Sequence, residues 1–185
     1  MFNNLNITAM KKTLFTIMLA FFALNVFAGK GNTIKLLSGS LGILNENAVA
    51  VLEMDYNGTR WEEDDDYKEW SGSDYDERVR LSKDAFTQSF NATSRGLKIG
   101  TGEAAKYKIV FKVTNLEQHQ DLRGGKWGQM VMYVTGQIDV VEIETGKNVL
   151  CLQLIEVRGF RDLTMTDRIK KAFSIVAERL FGEIK

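Results

Sequence analysis

The sequence predicts an α/β domain of the α+β kind, in which a mixed sheet of four to five strands carries two main helices on one face. Three observations lead to that prediction. An early strand is followed by a helix and a second strand, which indicates a crossover connection. Three later strands are linked by short connections, as in antiparallel hairpins. The chain closes with a segment whose apolar residues share one helical face.

The first strand of the predicted sheet is Ala48–Tyr56, an apolar run bounded by Asn and Gly residues. A continuous run of this length between turn residues suits a strand that is buried on both faces. The segment before it, residues 29–47, is rich in Gly, Ser and Asn. We interpret it as a lead-in with one edge element around residues 34–37.

Two segments have the periodicity of core-facing helices. Between Asp74 and Phe90, apolar residues recur on one face, and acidic residues occupy the first turn near the positive end of the helix dipole. Near the C terminus, Thr164 and Asp167 have the spacing of a helix cap. The apolar residues from Ile169 to Ile184 then recur on one face, so this segment is the clearest predicted helix.

The remaining strands follow from alternation and turn signals. Apolar residues in Tyr107–Val113 alternate with lysines, which indicates one solvent-exposed face. A long strand, Met130–Ile143, is joined to Val149–Val157 by a short Gly-containing connection typical of a hairpin. Leu97–Ile99 can form a short strand. These elements indicate one domain over residues 48–185, without an internal repeat.

Residues 1–28 have the layout of a cleavable secretory signal. Lys11 and Lys12 form a basic region, an apolar run follows, and small residues occupy the positions that signal peptidase reads. Translation could begin at Met10. The alternative is an uncleaved anchor, but the apolar run of about 14 residues is shorter than the roughly 20 that span a bilayer. We therefore expect an exported protein, either periplasmic or secreted.

The number and position of cysteines and the net charge restrict the possible lipid anchors and binding partners. The only cysteine, Cys151, lies in an apolar run and is predicted to be a buried, unreactive thiol. Because no cysteine follows the predicted cleavage site, we expect no lipid anchor and no lipoprotein. Removal of Lys11 and Lys12 leaves 22 basic and 24 acidic residues, a net charge of minus two. Neither nucleic acid nor an anionic membrane is therefore an expected partner.

A family resemblance rests on four parts of the chain. The strand Ala48–Tyr56, the helix after it, the turn Glu144–Lys147 and the closing helix with Thr166–Phe173 resemble small exported bacterial domains of uncharacterised function. In layout they are similar to the amino-terminal domain of TolB and to CsgG-like envelope proteins. The resemblance covers most of residues 48–185 and implies an envelope-associated binding or assembly module rather than an enzyme. Unlike CsgG-like proteins, the chain lacks a lipidation cysteine, and no TolB-like propeller follows.

Residue types suited to catalysis or metal binding are sparse. His119 is the only histidine and is predicted to lie in a polar surface loop, whereas zinc sites usually need several His or Cys ligands. The acidic tract Glu62–Asp66 lacks the spacing of an EF-hand loop and is interpreted as a solvated charge run. We therefore expect no cofactor, no metal and no catalytic residue. A carboxylate-based hydrolase is the third possible function, because pairs of acids are assembled in space.

The first group of candidate binding residues lies in the acidic and aromatic stretch Trp61–Asp74, which is predicted to be a loop or mobile segment. Trp61, Tyr67 and Trp70 stand there among carboxylates. Large amphipathic rings can anchor a protein interface or stack on a sugar face. The alternative is that some of these rings fold back over the edge of the sheet.

The second group lies between two predicted strands and consists of Arg123, Lys126 and Trp127, interleaved with glycines. This segment lacks the order of a phosphate-binding loop, so a flexible connection with one exposed Trp remains. We predict an exported, non-catalytic interaction or assembly module of the cell envelope that binds a protein partner through the two aromatic-rich loops. The alternative is a soluble protein that binds a saccharide or another small ligand.

Overall fold

The computed structural model describes residues 33–62, 65–120, 130–182 and 184. These residues form eight strands: β1 (Thr33–Gly39), β2 (Val49–Asp55), β3 (Arg60–Trp61), β4 (Asp65–Asp66), β5 (Lys98–Ile99), β6 (Tyr107–Gln120), β7 (Met130–Glu142) and β8 (Asn148–Asp162). Their α-helices are α1 (Tyr67–Ser71), α2 (Tyr75–Thr93) and α3 (Met165–Arg179). Three 3-10 helices complete the described part of the chain: η1 (Leu41–Asn45), η2 (Gly72–Asp74) and η3 (Gly102–Ala104).

The strands form one mixed sheet in the order β1-β8-β7-β6-β2-β5, and β3 extends it by pairing with both β4 and β6. Strands β6, β7 and β8 are an antiparallel meander, β1 is antiparallel to β8, and β2 is parallel to both β5 and β6. The described residues thus contain more strands than the four to five predicted. The additional strands include β3 and β4, which are two residues long and too short to show a periodicity of their own.

Both long helices pack on the same face of the sheet, as predicted. Phe111 of β6 lies between them, with its ring centroid 5.4 Å from that of Phe86 in α2 and 5.7 Å from that of Phe173 in α3. All three rings are fully buried. Lys108 and Lys112 point to the opposite, wetter side of β6, which agrees with the predicted alternation.

The long strands extend further than their periodicity predicts. Strand β6 continues beyond Val113, and β8 continues beyond Val157, because β7 pairs with both of them up to its own first residue. His119 therefore lies within β6, and the prediction of a loop at this position is wrong. Its side chain is exposed, and its Nε2 atom lies 3.2 Å from Glu117 Oε2.

The segment Trp61–Asp74 is also more ordered than predicted. Instead of one loop, its described residues contain β4, α1 and η2 as well as the end of β3. The Asp66 carboxylate caps α1 by accepting hydrogen bonds from the backbone N–H groups of Lys68 at 2.8 Å and Glu69 at 3.0 Å. The acidic residues thus act partly as helix caps, which composition alone did not reveal.

The segment that precedes β2 contributes to the sheet. The predicted edge element is β1, which pairs with β8 along its length. Ser40 then caps η1 by accepting a hydrogen bond from the N–H of Gly42 at 3.2 Å, and Leu44 in η1 is buried. The predicted signal, residues 1–28, lies outside the described residues. Within the described part of the chain, no helix is both long and apolar enough to cross a membrane.

Candidate functional site

Five aromatic residues that follow β2 form an aromatic cluster: Tyr56, Trp61, Tyr67, Trp70 and Tyr75. Trp61 and Trp70 are stacked with their ring centroids 3.8 Å apart, and Tyr67 lies 6.1 Å from Trp61 and 5.8 Å from Tyr56. Trp61 is 3% exposed and Tyr67 is 1% exposed. Of the two interpretations that the sequence left open, the one in which rings fold back over the edge of the sheet holds for both residues, so neither is an exposed binding residue.

Trp70 is half-buried, but neither of its ring faces is open. Trp61 covers one face, and the Arg78 guanidinium lies over the ring with its Cζ atom 4.5 Å from the centroid. Arg78 is held there by an ion pair of 2.9 Å between its Nη2 atom and Asp74 Oδ2. A sugar could not stack on Trp70 without displacing this arginine, so the structure gives no support to saccharide binding by the predicted aromatic trio.

Backbone pairing explains why this segment folds inward. Strand β3 pairs in parallel with β6, placing Trp61 opposite the buried Leu116. The Thr59 hydroxyl donates to the Val113 carbonyl at 2.7 Å, and the Tyr67 N–H donates to the Thr59 carbonyl at 2.9 Å. These bonds bring the start of α1 onto the sheet, and burial of the rings follows.

Two tyrosines of the aromatic cluster have pKa values that burial raises. Burial raises the pKa of Tyr67 to about 12, and burial also raises the pKa of Tyr56 well above its ordinary value. The Tyr56 hydroxyl is paired with the Ser82 hydroxyl at 2.5 Å, and Ser82 in turn donates to the Val79 carbonyl at 2.7 Å. Both phenols therefore stay neutral at physiological pH, and the cluster serves packing.

The other predicted binding residues, Arg123, Lys126 and Trp127, lie in residues 121–129, outside the described residues. That segment connects the end of β6 to the start of β7. The described strands beside it bring Met130 opposite Asp162 at the end of β8.

This end of the sheet carries an apolar patch that the sequence reasoning missed, formed by Phe160 and Leu163. Phe160 is 63% exposed and Leu163 is 66% exposed. The neighbouring Gly159 points the opposite way, because a Cβ atom there would lie 2.7 Å from the Cα of Ala172 in α3. Alternation along β8 therefore turns Phe160 to solvent. The same alternation could have identified Phe160 as exposed from the sequence, if β8 had been predicted to its full length.

The turn that presents the apolar patch is fixed by hydrogen bonds. The buried Arg168 guanidinium donates from Nη1 to the Leu163 carbonyl at 2.9 Å and to the Asp162 carbonyl at 3.2 Å. Lys171 forms an ion pair with the Asp162 carboxylate. Thr164 caps α3 by accepting from the Asp167 N–H at 3.1 Å, as the sequence predicted. Both apolar side chains are thus held on a rigid support.

A separate pocket of about 510 Å³ lies at the other end of the helices. Residues of η1, of the chain leaving α2 and of the C terminus line it, and these segments are far apart in the sequence. Its apolar lining residues are Leu41, Leu44, Leu180, Phe181 and Ile184. Asn45, Thr93 and Arg95 also line it. We call it the C-terminal pocket. None of the predicted aromatic binding residues contributes to it.

The thiol considered from the sequence lies in the core of the domain. Cys151 is buried and free, as predicted, and burial raises the pKa of its thiol to about 11, with a hydrogen bond to Asp139 adding to the effect. Such a thiol is poorly nucleophilic at neutral pH. Among the described residues, no three His, Cys, Asp or Glu side chains are grouped so that they could hold a metal ion.

No protein-family model matches the chain, and no curated protein sequence matches it. Solved structures are similar to it in fold. A PelC dodecamer from Paraburkholderia phytofirmans is 14% identical with a TM-score of 0.45, and the match covers 80% of this chain and 96% of that chain.

A neuraminyllactose-binding hemagglutinin homolog from Helicobacter pylori is 11% identical with a TM-score of 0.34, and the match covers 76% of this chain and 84% of that chain. These two proteins are neither a TolB domain nor a CsgG-like protein, so that resemblance stays a prediction. At such identities and scores the comparisons carry no functional argument, and the proposals below rest on the residues of this chain.

Proposed function

We propose that the chain is an exported, non-catalytic interaction module of the bacterial cell envelope that binds a protein partner through the apolar patch. The observation that carries the proposal is the exposure of Phe160 and Leu163, at 63% and 66%, where β8 ends and passes into a turn that Arg168 fixes by hydrogen bonds. Export, to the periplasm or beyond the cell, is part of the proposal and rests on the signal-like pattern of residues 1–28.

The patch has the composition of an interface centre. Large apolar side chains supply most of the binding energy in protein interfaces, and charged residues are typical of the surrounding rim. Here Asp162 and Lys171, which pair with each other, lie beside Leu163, and the exposed Arg161 follows Phe160. Binding a partner would cover the apolar groups while leaving these charges near solvent.

Rigid presentation favours binding as well. A flexible turn must be ordered when a partner binds, and each immobilised side chain or loop residue lowers the affinity. The hydrogen bonds from Arg168 and the cap at Thr164 fix this turn before any partner arrives. The proposal keeps Arg123, Lys126 and Trp127, which come between β6 and β7 in the sequence, as further binding residues.

Site-specific photocrosslinking tests the proposal. A photoreactive phenylalanine analogue replaces Phe160 in the full chain, in intact cells of the source bacterium. The matched control places the same analogue at Ile143, which is 49% exposed and follows the opposite end of β7. We expect one recurrent protein adduct from position 160, reduced when Leu163→Ser is added, and absent from position 143.

Two results would count against this function. One is the absence of any protein adduct from position 160, and the other is the same adduct from position 143, as expected for random collision. Either result shows that the apolar patch is not a specific protein interface. Circular dichroism of each purified variant checks that the fold is retained.

A further inference from the structure

The apolar patch lies in a positively charged part of the surface. Residues 158–171 contain five basic and two acidic side chains, a net charge of plus three. Arg161, Lys170 and Lys171 are exposed, and Arg161 directly follows Phe160. Because the whole chain has 24 basic and 24 acidic residues, this excess of positive charge is local. A partner whose contact surface is acidic is therefore favoured.

A complementary surface is present on the same chain. Residues 65–77 contain six acidic side chains and one basic side chain, a net charge of minus five. All six acidic residues are exposed, and we call this surface the acidic flank. Trp70 and Tyr75 are half-buried within it, so part of each side chain remains accessible. The acidic flank thus offers some apolar area among carboxylates, whereas the apolar patch offers exposed apolar side chains among cations.

Strand pairing places the two surfaces at the same end of the sheet. Asp65 of β4 pairs with Trp61 of β3, and Trp61 pairs with Leu116 of β6. Leu116 pairs with Val134 of β7, which pairs with Val157 of β8, three residues before the apolar patch begins. Adjacent strands lie about 4.8 Å apart, so the four intervals of this row separate the two surfaces by roughly 19 Å.

We infer that two copies of this chain form a closed dimer, in which the apolar patch of each copy lies on the acidic flank of the other. A two-fold axis that passes midway between the two surfaces, perpendicular to the line that joins them, exchanges one for the other, so both contacts form at once. Opposite charges then surround each contact. Two apolar patches facing each other would instead bring the cations of both copies together, which is unfavourable.

This inference rests on the proposed function, because it uses the same apolar patch, and it names the protein partner as a second copy of the chain. The two can still fail separately. If the partner is a second copy, the photocrosslinked adduct from position 160 has twice the mass of the chain.

Sedimentation velocity of the purified chain over a range of concentrations tests the inference. We expect a reversible dimer in exchange with the monomer. The double variant Phe160→Ser and Leu163→Ser should be monomeric, because the exposed apolar side chains of the contact are lost. Raising the ionic strength from about 0.1 M to about 1 M shortens the Debye length from about 10 Å to about 3 Å and should weaken the dimer by about tenfold.

Charge reversal identifies the two contact surfaces. Arg161→Glu should weaken the dimer by about tenfold, and so should Asp76→Lys, which changes an exposed carboxylate of the acidic flank. A chain with both changes should dimerise more strongly than either single variant, because opposite charges meet again. Lys147→Glu is the matched control, since Lys147 is exposed in the turn that joins β7 to β8 at the other end of the sheet. It should leave the dimer unchanged.

Three results would overturn the inference. The first is a chain that is monomeric at every concentration, and the second is a dimer that the changes at Phe160 and Leu163 leave intact. The third is a dimer that Lys147→Glu weakens as much as Arg161→Glu does. A monomeric chain that forms an adduct with a different protein from position 160 excludes the second copy as partner and leaves the proposed protein interface in place.

Discussion

The aromatic cluster and the apolar patch contain the same kind of side chain but lie in opposite environments. Trp61 stands among acidic residues in the sequence and is 3% exposed, whereas Phe160 belongs to a long β-strand and is 63% exposed. From the sequence, Trp61 was a candidate binding residue and Phe160 was not singled out. The comparison shows that the polarity of neighbouring residues does not fix the direction of a ring, because strand pairing and helix packing decide which side faces the core.

The largest expected effect concerns the buried side of that comparison. Trp61→Ala removes a ring stacked on Trp70 and packed against Tyr67. We expect the free energy of unfolding to fall by about 3–5 kcal/mol, as for other large-to-small changes in a core. Phe160→Ala is the matched change in the apolar patch and should alter the free energy of unfolding by at most about 0.5 kcal/mol. Urea denaturation of both variants measures the difference, and equal losses would refute the comparison.

A second variant examines the strand residue next to Phe160. Gly159→Ala places a methyl group 2.7 Å from the Ala172 Cα, so α3 must move away from β8. We expect a loss of about 1–3 kcal/mol, typical of overpacking. Gly146→Ala would not serve as a control, because its positive φ of 66° adds backbone strain. Phe160→Ala is again the suitable reference, and thermal denaturation of both variants measures their stabilities. A Gly159→Ala variant as stable as the parent chain would contradict the close packing of Gly159 against α3.

A third variant tests how far the outer edge of the aromatic cluster depends on charge. Arg78→Gln removes the guanidinium from Trp70 and breaks the ion pair with Asp74. Because Arg78 is largely covered, we expect a loss of about 1 kcal/mol, mainly from the contact with the ring. The control Arg80→Gln breaks only exposed ion pairs on the same helix and should have almost no effect. Urea denaturation at low and high salt separates the two contributions.

The smallest expected effect depends on pH and concerns the chain next to the C-terminal pocket. Hydrogen bonds from Tyr107 and then Lys106 lower the pKa of Glu46 below its ordinary value of 4.5. A lowered folded-state pKa stabilises the fold above about pH 4.5, and this contribution is lost as the pH falls through the lowered value. Glu46→Gln should therefore be less stable than the parent near pH 7, and the difference should narrow below pH 4. A difference that grows on acidification would contradict this assignment.

Much of the fold could be predicted because the spacing of apolar residues indicates the long helices and strands. Helix α2 and strands β2 and β7 are close to their predicted bounds, since each is long enough to show its apolar pattern. Helix α3 begins where predicted but ends at Arg179, so Ile184 lies beyond the helix on which it was predicted. Strands β3 and β4 could not be predicted, because two residues show no period. The prediction of a loop over Trp61–Asp74 is wrong for this reason. For Trp61 and Tyr67 the sequence left open whether the rings are exposed or folded over the sheet, and the structure shows the second.

The candidate sites were less predictable than the fold. The C-terminal pocket joins Leu41, Thr93 and Ile184, which are far apart in the chain and form no motif. The apolar patch was hidden because alternation was followed only to Val157. Extending it to Asp162 requires knowing that β7 pairs with β8 along its whole length. Such pairing is a long-range property and leaves little trace in the local sequence.

The sequence by itself determined the α+β class, the two long helices, the buried unreactive Cys151 and the cap at Thr164. These features depend on apolar periodicity and on hydrogen bonds between near neighbours, which a short window of residues contains. The tertiary structure alone decided that Trp61 is buried, that Phe160 is exposed and that Leu41, Arg95 and Ile184 line one pocket. Those outcomes depend on which distant segments meet, because burial is a property of the assembled sheet and helices.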